Sequence, residues 1–246
     1  MAAGEVAVIT SVDDYLGPAT ALALAEDGFT VVGHSLRFGS QSARAAFEAM
    51  HSSFHAAHAL DAERALEETV ERFGRLDAAM SNELPVDLVD GEIKRVPDDD
   101  FARLVDVLLI RPERFIGGAL RIMIAAGGGR ILIATSGATT RFPHIPPGGC
   151  GYTAARAGAN ALARCLAVKH AGDNVQINAV APFYLYLPWR FPAGPDDEAY
   201  REMLEEKVPM RRFGRPEEAG ALAAFLLSGK SSFTSGQVIA FSGAGA

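Results

Sequence analysis

The chain has 246 residues, 49% of them hydrophobic and 22% charged, with a formal net charge of −7. Such a chain buries a full core, and with no basic run it is a poor partner for nucleic acid or an anionic membrane. Cys150 and Cys165 are too few for a disulfide framework, which suits a reducing cytoplasm; "MAAGEVAVIT" does not read as a secretion signal, and no apolar run is long enough to cross a bilayer.

Short apolar runs predict strands at Val6–Thr10, Thr30–His34, Phe54–Ala59, Asp77–Ser81, Arg130–Thr135, Val175–Val180 and Val238–Phe241. Amphipathic stretches between them predict helices at Gly17–Asp27, Gln41–Met50, Ala62–Phe73, Asp98–Ala126, Tyr152–Ala171 and Glu217–Ser228. Several strands are apolar nearly throughout ("VAVIT", "RILIAT"), as in a parallel sheet covered on both faces. The alternation predicts a single α/β domain over residues 1–246. It would be a Rossmann-like, doubly wound parallel sheet of about seven strands with helices on both faces. The loops Pro143–Gly151 and Pro182–Pro195 follow strand C-termini, the edge where such sheets bind ligands.

The first strand–helix turn reads Ser11-Val12-Asp13-Asp14-Tyr15-Leu16-Gly17. A dinucleotide turn needs bare backbone there, so that amides can approach the phosphates. Here one glycine remains, Tyr15 brings a ring, and Asp13 and Asp14 bring negative charge. The turn suits a smaller anion than a pyrophosphate, with the positive end of the first helix behind it. Tyr15 packed simply as a core residue is the plain alternative.

The fifth strand delivers Ser136 at its C-terminal end. Tyr152 and Arg156, four apart on a helix, share one face. A guanidinium beside a phenol favours the phenolate, so Tyr152 can act as a base near neutral pH. Ser136 can donate to a substrate oxygen that gains negative charge. Each residue also has an ordinary reading, as a surface pair or a turn residue; together at the ligand edge they form a candidate catalytic set.

The strand order and the Ser–Tyr arrangement resemble the short-chain dehydrogenase/reductase superfamily over nearly the whole chain, as do "NAVAPF" and "GRPEEAGALAAFLLSGKSSFTSGQVIAFSG". Two departures resemble the halohydrin dehalogenases within it. Arg156 stands where the reductases carry lysine, and Thr10, Tyr15 and Gly17 replace the glycine-rich turn. The resemblance implies a Ser136–Tyr152–Arg156 triad, with Glu83 of "SNELP" supporting the arginine. It implies a halide or nucleophile pocket framed by Thr10, Tyr15, Gly17, Pro182, Phe183, Tyr184 and Leu185. Pro85, Trp189 and Phe191 are candidates for the substrate wall. The implied activity is conversion of vicinal halohydrins to epoxides, and epoxide opening by azide, cyanide or nitrite, with no cofactor and no metal. The implied assembly is a homotetramer.

The family usually has twelve residues between serine and tyrosine, whereas fifteen separate Ser136 from Tyr152. Twelve would select Thr139, which stays open as the alternative hydroxyl. A reductase with an unusual turn is the rival reading, because Arg37 after the second strand could meet a 2′-phosphate. A catalytically inactive binding protein on the same fold is another. His34, His51, His55, His58, His144 and His170 do not form a convincing metal set.

Overall fold

The computed structural model describes residues 4–90, 92–139, 149–188 and 190–245. Seven parallel strands form one sheet: β1 (Val6–Ile9), β2 (Thr30–Gly33), β3 (Phe54–Ala56), β4 (Ala78–Ser81), β7 (Gly129–Ala134), β8 (Val175–Pro182) and β9 (Val238–Phe241). Their spatial order is β3-β2-β1-β4-β7-β8-β9. The chain thus winds outward one way from β1 and then the other way from β4, and the two directions part between those strands. This is a doubly wound Rossmann-like sheet, and the cleft at such a parting is where its ligands bind.

Alternate residues of each strand feed two cores. Ile9, Met80, Leu132 and Val180 face α1 (Gly17–Glu26) and α8 (Pro216–Leu227). Val8, Ala79, Ile131 and Ala179 face α3 (Ala62–Phe73), α5 (Arg111–Ala126) and α6 (Cys150–His170). Both faces of the central strands are covered, so most of the strand sequences show no polar alternation. Helices α1 and α8 approach so closely that a Cβ at Gly220 would stand 2.6 Å from the Ala19 backbone.

The predicted strands and helices are all present, with ends shifted by a few residues. The structure adds an antiparallel hairpin, β5 (Val86–Val89) with β6 (Glu92–Arg95), between β4 and the next helix. The helix predicted over Asp98–Ala126 is not continuous. It starts as α4 (Phe101–Val105), passes through a π-helical turn at Asp106–Ile110, and resumes as α5. A short α2 (Gln41–Glu48) and α7 (Arg201–Lys207) complete the helices among the described residues. None of these helices is long and apolar enough to cross a membrane, and the described residues hold no group of three metal-ligating side chains. Cys150 and Cys165 are both exposed and unbridged.

The hairpin is tied down by charge. Asp87, with a side chain only 13% exposed, pairs with Arg103 of α4 and with Arg111 at 3.2 Å. Arg111 also holds Asp106 at 2.9 Å, across the π turn. Replacing Asp87 with alanine leaves two guanidinium groups facing each other with one acid removed. Asp87→Ala is expected to lower unfolding stability by about 1–3 kcal/mol, read as a shifted urea midpoint at unchanged slope.

Candidate active site

The C-terminal ends of β1, β4, β7 and β8 converge on a cluster built around two tyrosines. The first is Tyr15, in the β1–α1 turn. Ser11 and Tyr15 adopt left-handed backbone, with φ of 44° and 52°. Side chains resist that conformation at a cost of about 1–3 kcal/mol each, so neighbouring contacts must hold the turn. Asn82, fully buried after β4, does so: its amide nitrogen donates to the carbonyls of Ser11 (3.0 Å) and Asp14 (2.9 Å), and its oxygen accepts from Leu16 (3.3 Å). The Asn82 backbone amide donates in turn to the buried Thr10 hydroxyl at 2.9 Å. Gly17 is required by space, because a Cβ there would lie 2.5 Å from the Val12 carbonyl oxygen.

These contacts revise the picture of the turn drawn from sequence. The Tyr15 ring reaches past the turn, and its hydroxyl donates to the Thr135 carbonyl at 2.9 Å. Its amide is taken by the Asp14 carboxylate (2.7 Å), that of Leu16 by Asn82, and that of Gly17 by the Asp14 carbonyl (2.9 Å). Pro18 has no amide to offer. The start of α1 therefore presents fewer free donors than a helix end ordinarily does. Asp13 points at Arg37, 2.6 Å away, so that arginine is occupied by this chain's own acid.

The second tyrosine is Tyr152, half-buried in the first turn of α6. Arg156 lies beneath it with 1% exposure, its guanidinium carbon 5.4 Å from the ring centre. Its terminal nitrogens donate to the main-chain carbonyls of Ala134 and Glu83, each at 2.6 Å. Here the sequence expectation for Glu83 needs correction. Its carbonyl supports the arginine, while its carboxylate accepts from Ser11 at 3.2 Å. Burial pushes the Tyr152 phenol up. The Arg156 charge, hydrogen bonds from Ser136 and Arg156, and the charge of Arg190 outweigh this and hold it below its ordinary value. Burial pushes Tyr15 far up and the neighbouring Tyr152 adds to it, so Tyr15 stays a neutral phenol.

Ser136 follows β7, and the Ala138 amide donates to its oxygen at 3.2 Å. Thr139, the alternative hydroxyl, is engaged elsewhere: it donates to the Ser136 carbonyl at 2.7 Å and accepts from Asn160 at 2.8 Å. The geometry thus brings Ser136, Tyr152 and Arg156 together, with Thr139 behind Ser136.

Pro182 is buried at the end of β8. Phe183 lies against Gly137, where a Cβ would meet it at 2.5 Å, and stands edge-on to Tyr184 with ring centres 4.4 Å apart. Leu185 is buried in the core cluster against which Tyr15 packs. Tyr184 borders a separate aromatic cluster that contains Phe191, 4.4 Å from Phe213 and 5.3 Å from Tyr200 between centres. Phe191 is therefore a packing aromatic in this arrangement rather than a bare wall. Pro85 is half-buried, and its carbonyl accepts from the Val96 amide at 2.8 Å, closing the base of the hairpin. Trp189 and residues 143–148 of the Pro143–Gly151 loop, His144 among them, lie outside the described residues. Sequence reasoning passed over Asn82 and Arg190. Asn82 had a signal, since it sits beside the acid of "SNELP"; Arg190 had none.

A family model described as enoyl-(acyl carrier protein) reductase matches residues 14–243. A cis-4-hydroxycyclohexanecarboxylate dehydrogenase from Sinomonas cyclohexanicum is 32% identical, covering 98% of this chain and 96% of its own. Among solved structures, one titled "Dehalogenation enzyme" has 29% identity and a TM-score of 0.85, covering 99% of this chain and 98% of its own. A halohydrin dehalogenase bound to ethyl (2S)-oxiran-2-ylacetate has 25% identity and a TM-score of 0.85, covering 97% and 96%.

Removing the Asn82 side chain would leave buried main-chain groups of the turn unpaired. Asn82→Ala is expected to cost on the order of 2–4 kcal/mol, measured by chemical denaturation.

Proposed function

The chain belongs to the short-chain dehydrogenase/reductase superfamily, and within it we propose a cofactor-independent halohydrin dehalogenase. The observation that carries this reading is the pairing of two features. The Tyr15 ring reaches from the β1–α1 turn to the Thr135 carbonyl, and Arg156 sits under Tyr152 on carbonyl partners. The first does not fit a dinucleotide: the amides of Tyr15, Leu16 and Gly17, at the start of the helix, are already bonded within the chain, and Arg37 is held by Asp13. The second supplies a base without hydride chemistry. A guanidinium held by carbonyls rather than by a carboxylate keeps its charge available to the phenol.

In this reading a vicinal halohydrin places its hydroxyl between Ser136 and Tyr152. The Tyr152 phenolate takes the hydroxyl proton while Ser136 donates to the same oxygen. The oxygen's electron pair closes onto the neighbouring carbon, and the carbon–halogen bond breaks with its pair leaving on the halide. The products are an epoxide, a halide ion and a proton that passes from Tyr152 to water. Run backward, neutral Tyr152 protonates an epoxide oxygen while azide, cyanide or nitrite attacks carbon. Tyr15, Pro182, Phe183, Tyr184 and Leu185 are the apolar and ring-edge lining offered to the halide, with Thr10 and Gly17 shaping the turn behind.

The rival, a nicotinamide-dependent reductase, draws support from the dehydrogenase among the relatives. It requires a saturable rise in melting temperature with NADPH or NADH, which the filled turn is expected to prevent. Halide release from a vicinal chloro- or bromohydrin with no nicotinamide added is the expected positive result. Its absence, together with a nicotinamide-induced melting shift, would establish the reductase instead. Tyr152→Phe is expected to lower kcat/KM for halide release by about 10²–10⁴-fold with little change in melting temperature.

The pH profile follows from the lowered Tyr152 phenol. Ring closure uses the phenolate, so kcat/KM should climb with pH and level off below the ordinary phenol value. Ring opening uses the neutral phenol and should fall across the same range. Arg156→Gln removes the charge that favours the phenolate, so both limbs should move to higher pH.

A further inference from the structure

The loop after β8 carries a charge that the proposed reaction does not use. Arg190 is exposed, with its guanidinium carbon 5.5 Å from the centre of the Phe191 ring. Its amide donates to the Leu187 carbonyl at 2.9 Å, and so does that of Phe191, closing a tight turn. Phe191 packs edge-on to Tyr200 and tilted against Phe213, in the cluster that Tyr184 borders. The guanidinium thus stands on a rigid aromatic base at the rim of the site.

Arg37, Arg75, Arg111, Arg130 and Arg212 each hold an acid of this chain. Among the described residues Arg190 holds none. The acid felt at Tyr184 is Glu206, and Lys207 occupies it at 3.3 Å. The Arg190 charge nevertheless reaches the phenols of Tyr15, Tyr152 and Tyr184, favouring the anionic form of each. In a chain with a net charge of −7, a cation on the aromatic cluster that Tyr184 borders, with no acid of its own among the described residues, gives this rim a local sign opposite to the whole.

We propose that Arg190 docks a carboxylate carried by the substrate, so that the site takes halohydrins and epoxides of small hydroxy acids. This rests on the dehalogenase reading and adds a substrate class to it. A guanidinium offers two parallel donors that match a carboxylate, and the ring face 5.5 Å away favours the cation at this place. A neutral ester of the same acid presents the same carbon skeleton without the charge.

The test compares 4-chloro-3-hydroxybutyrate with its ethyl ester in the parent, R190Q and R190K. The parent should favour the acid in kcat/KM, and R190Q should lower that ratio roughly five- to tenfold, mostly through KM of the acid. R190K should retain part of it. A parent that favours the ester, or a ratio unchanged in R190Q, overturns the proposal. An unchanged ratio with weakened bromide inhibition would assign Arg190 to the inorganic anion instead.

A second measurement separates this proposal from the chemistry. Trp189, the chain's one tryptophan, precedes Arg190 in sequence and is the intrinsic fluorescence probe for the measurement. Titration with 3-hydroxybutyrate should give a saturable change in the parent that R190Q loses. If neither chlorinated compound releases chloride, the dehalogenase reading fails by itself. The carboxylate site is then supported by this titration, or overturned by a flat one.

Discussion

A buried guanidinium organises the site. Arg156 has 1% exposure, and a cation so placed is costly unless its donors are taken. Two of them are taken by backbone: the Ala134 carbonyl at the end of β7 and the Glu83 carbonyl just past β4. The same contacts tie together the ends of two adjacent strands and fix the distance of the charge from the Tyr152 ring. A carboxylate partner would have satisfied the arginine better and the tyrosine worse, because it would have cancelled the field at the phenol. Support by carbonyls gives orientation without neutralisation.

The β1–α1 turn follows the same logic in reverse. A dinucleotide site leaves amides free and keeps side chains away. Here Asp14 and Asn82 consume the amides, and Tyr15 fills the space with its hydroxyl on the Thr135 carbonyl. Two non-glycine residues in left-handed backbone are a local liability that the buried Asn82 amide offsets. Local preference and tertiary structure disagree at this turn, and such disagreement is characteristic of functional sites.

Much of this was legible in sequence, for identifiable reasons. The central strands are apolar on both faces, so runs such as "VAVIT" stand out without any period. Ser136, Tyr152 and Arg156 could be selected because strand end and helix spacing fix where they must lie. The β5–β6 hairpin was missed because "VDLVDGEIKR" is charged and short, although Asp90-Gly91 is the dipeptide that hairpin turns favour. The π turn at Asp106–Ile110 interrupts a helical pattern whose apolar face continues through it, so periodicity could not reveal it. Glu83 was assigned by its side chain, whereas its carbonyl does the supporting. A sequence displays side chains and conceals which carbonyls a fold turns inward. Arg190 belongs to no motif, and only its place on the aromatic cluster that Tyr184 borders distinguishes it.

The occupied amides also bear on how a leaving anion is treated. A helix start with free donors binds an anion firmly, which suits a cofactor that must stay. A reaction that expels a halide needs stabilisation during departure and weak retention afterward, since anything that holds the ion tightly slows turnover. In the proposed site, Tyr15, Phe183 and Tyr184 would offer ring edges in place of direct donors, since the Tyr15, Leu16 and Gly17 amides are already bonded. In the proposed dehalogenase, the contacts that would deny a pyrophosphate its cradle would also keep the grip on a monatomic product light. In that reading one rearranged turn would serve both ends, with Tyr15 at its centre.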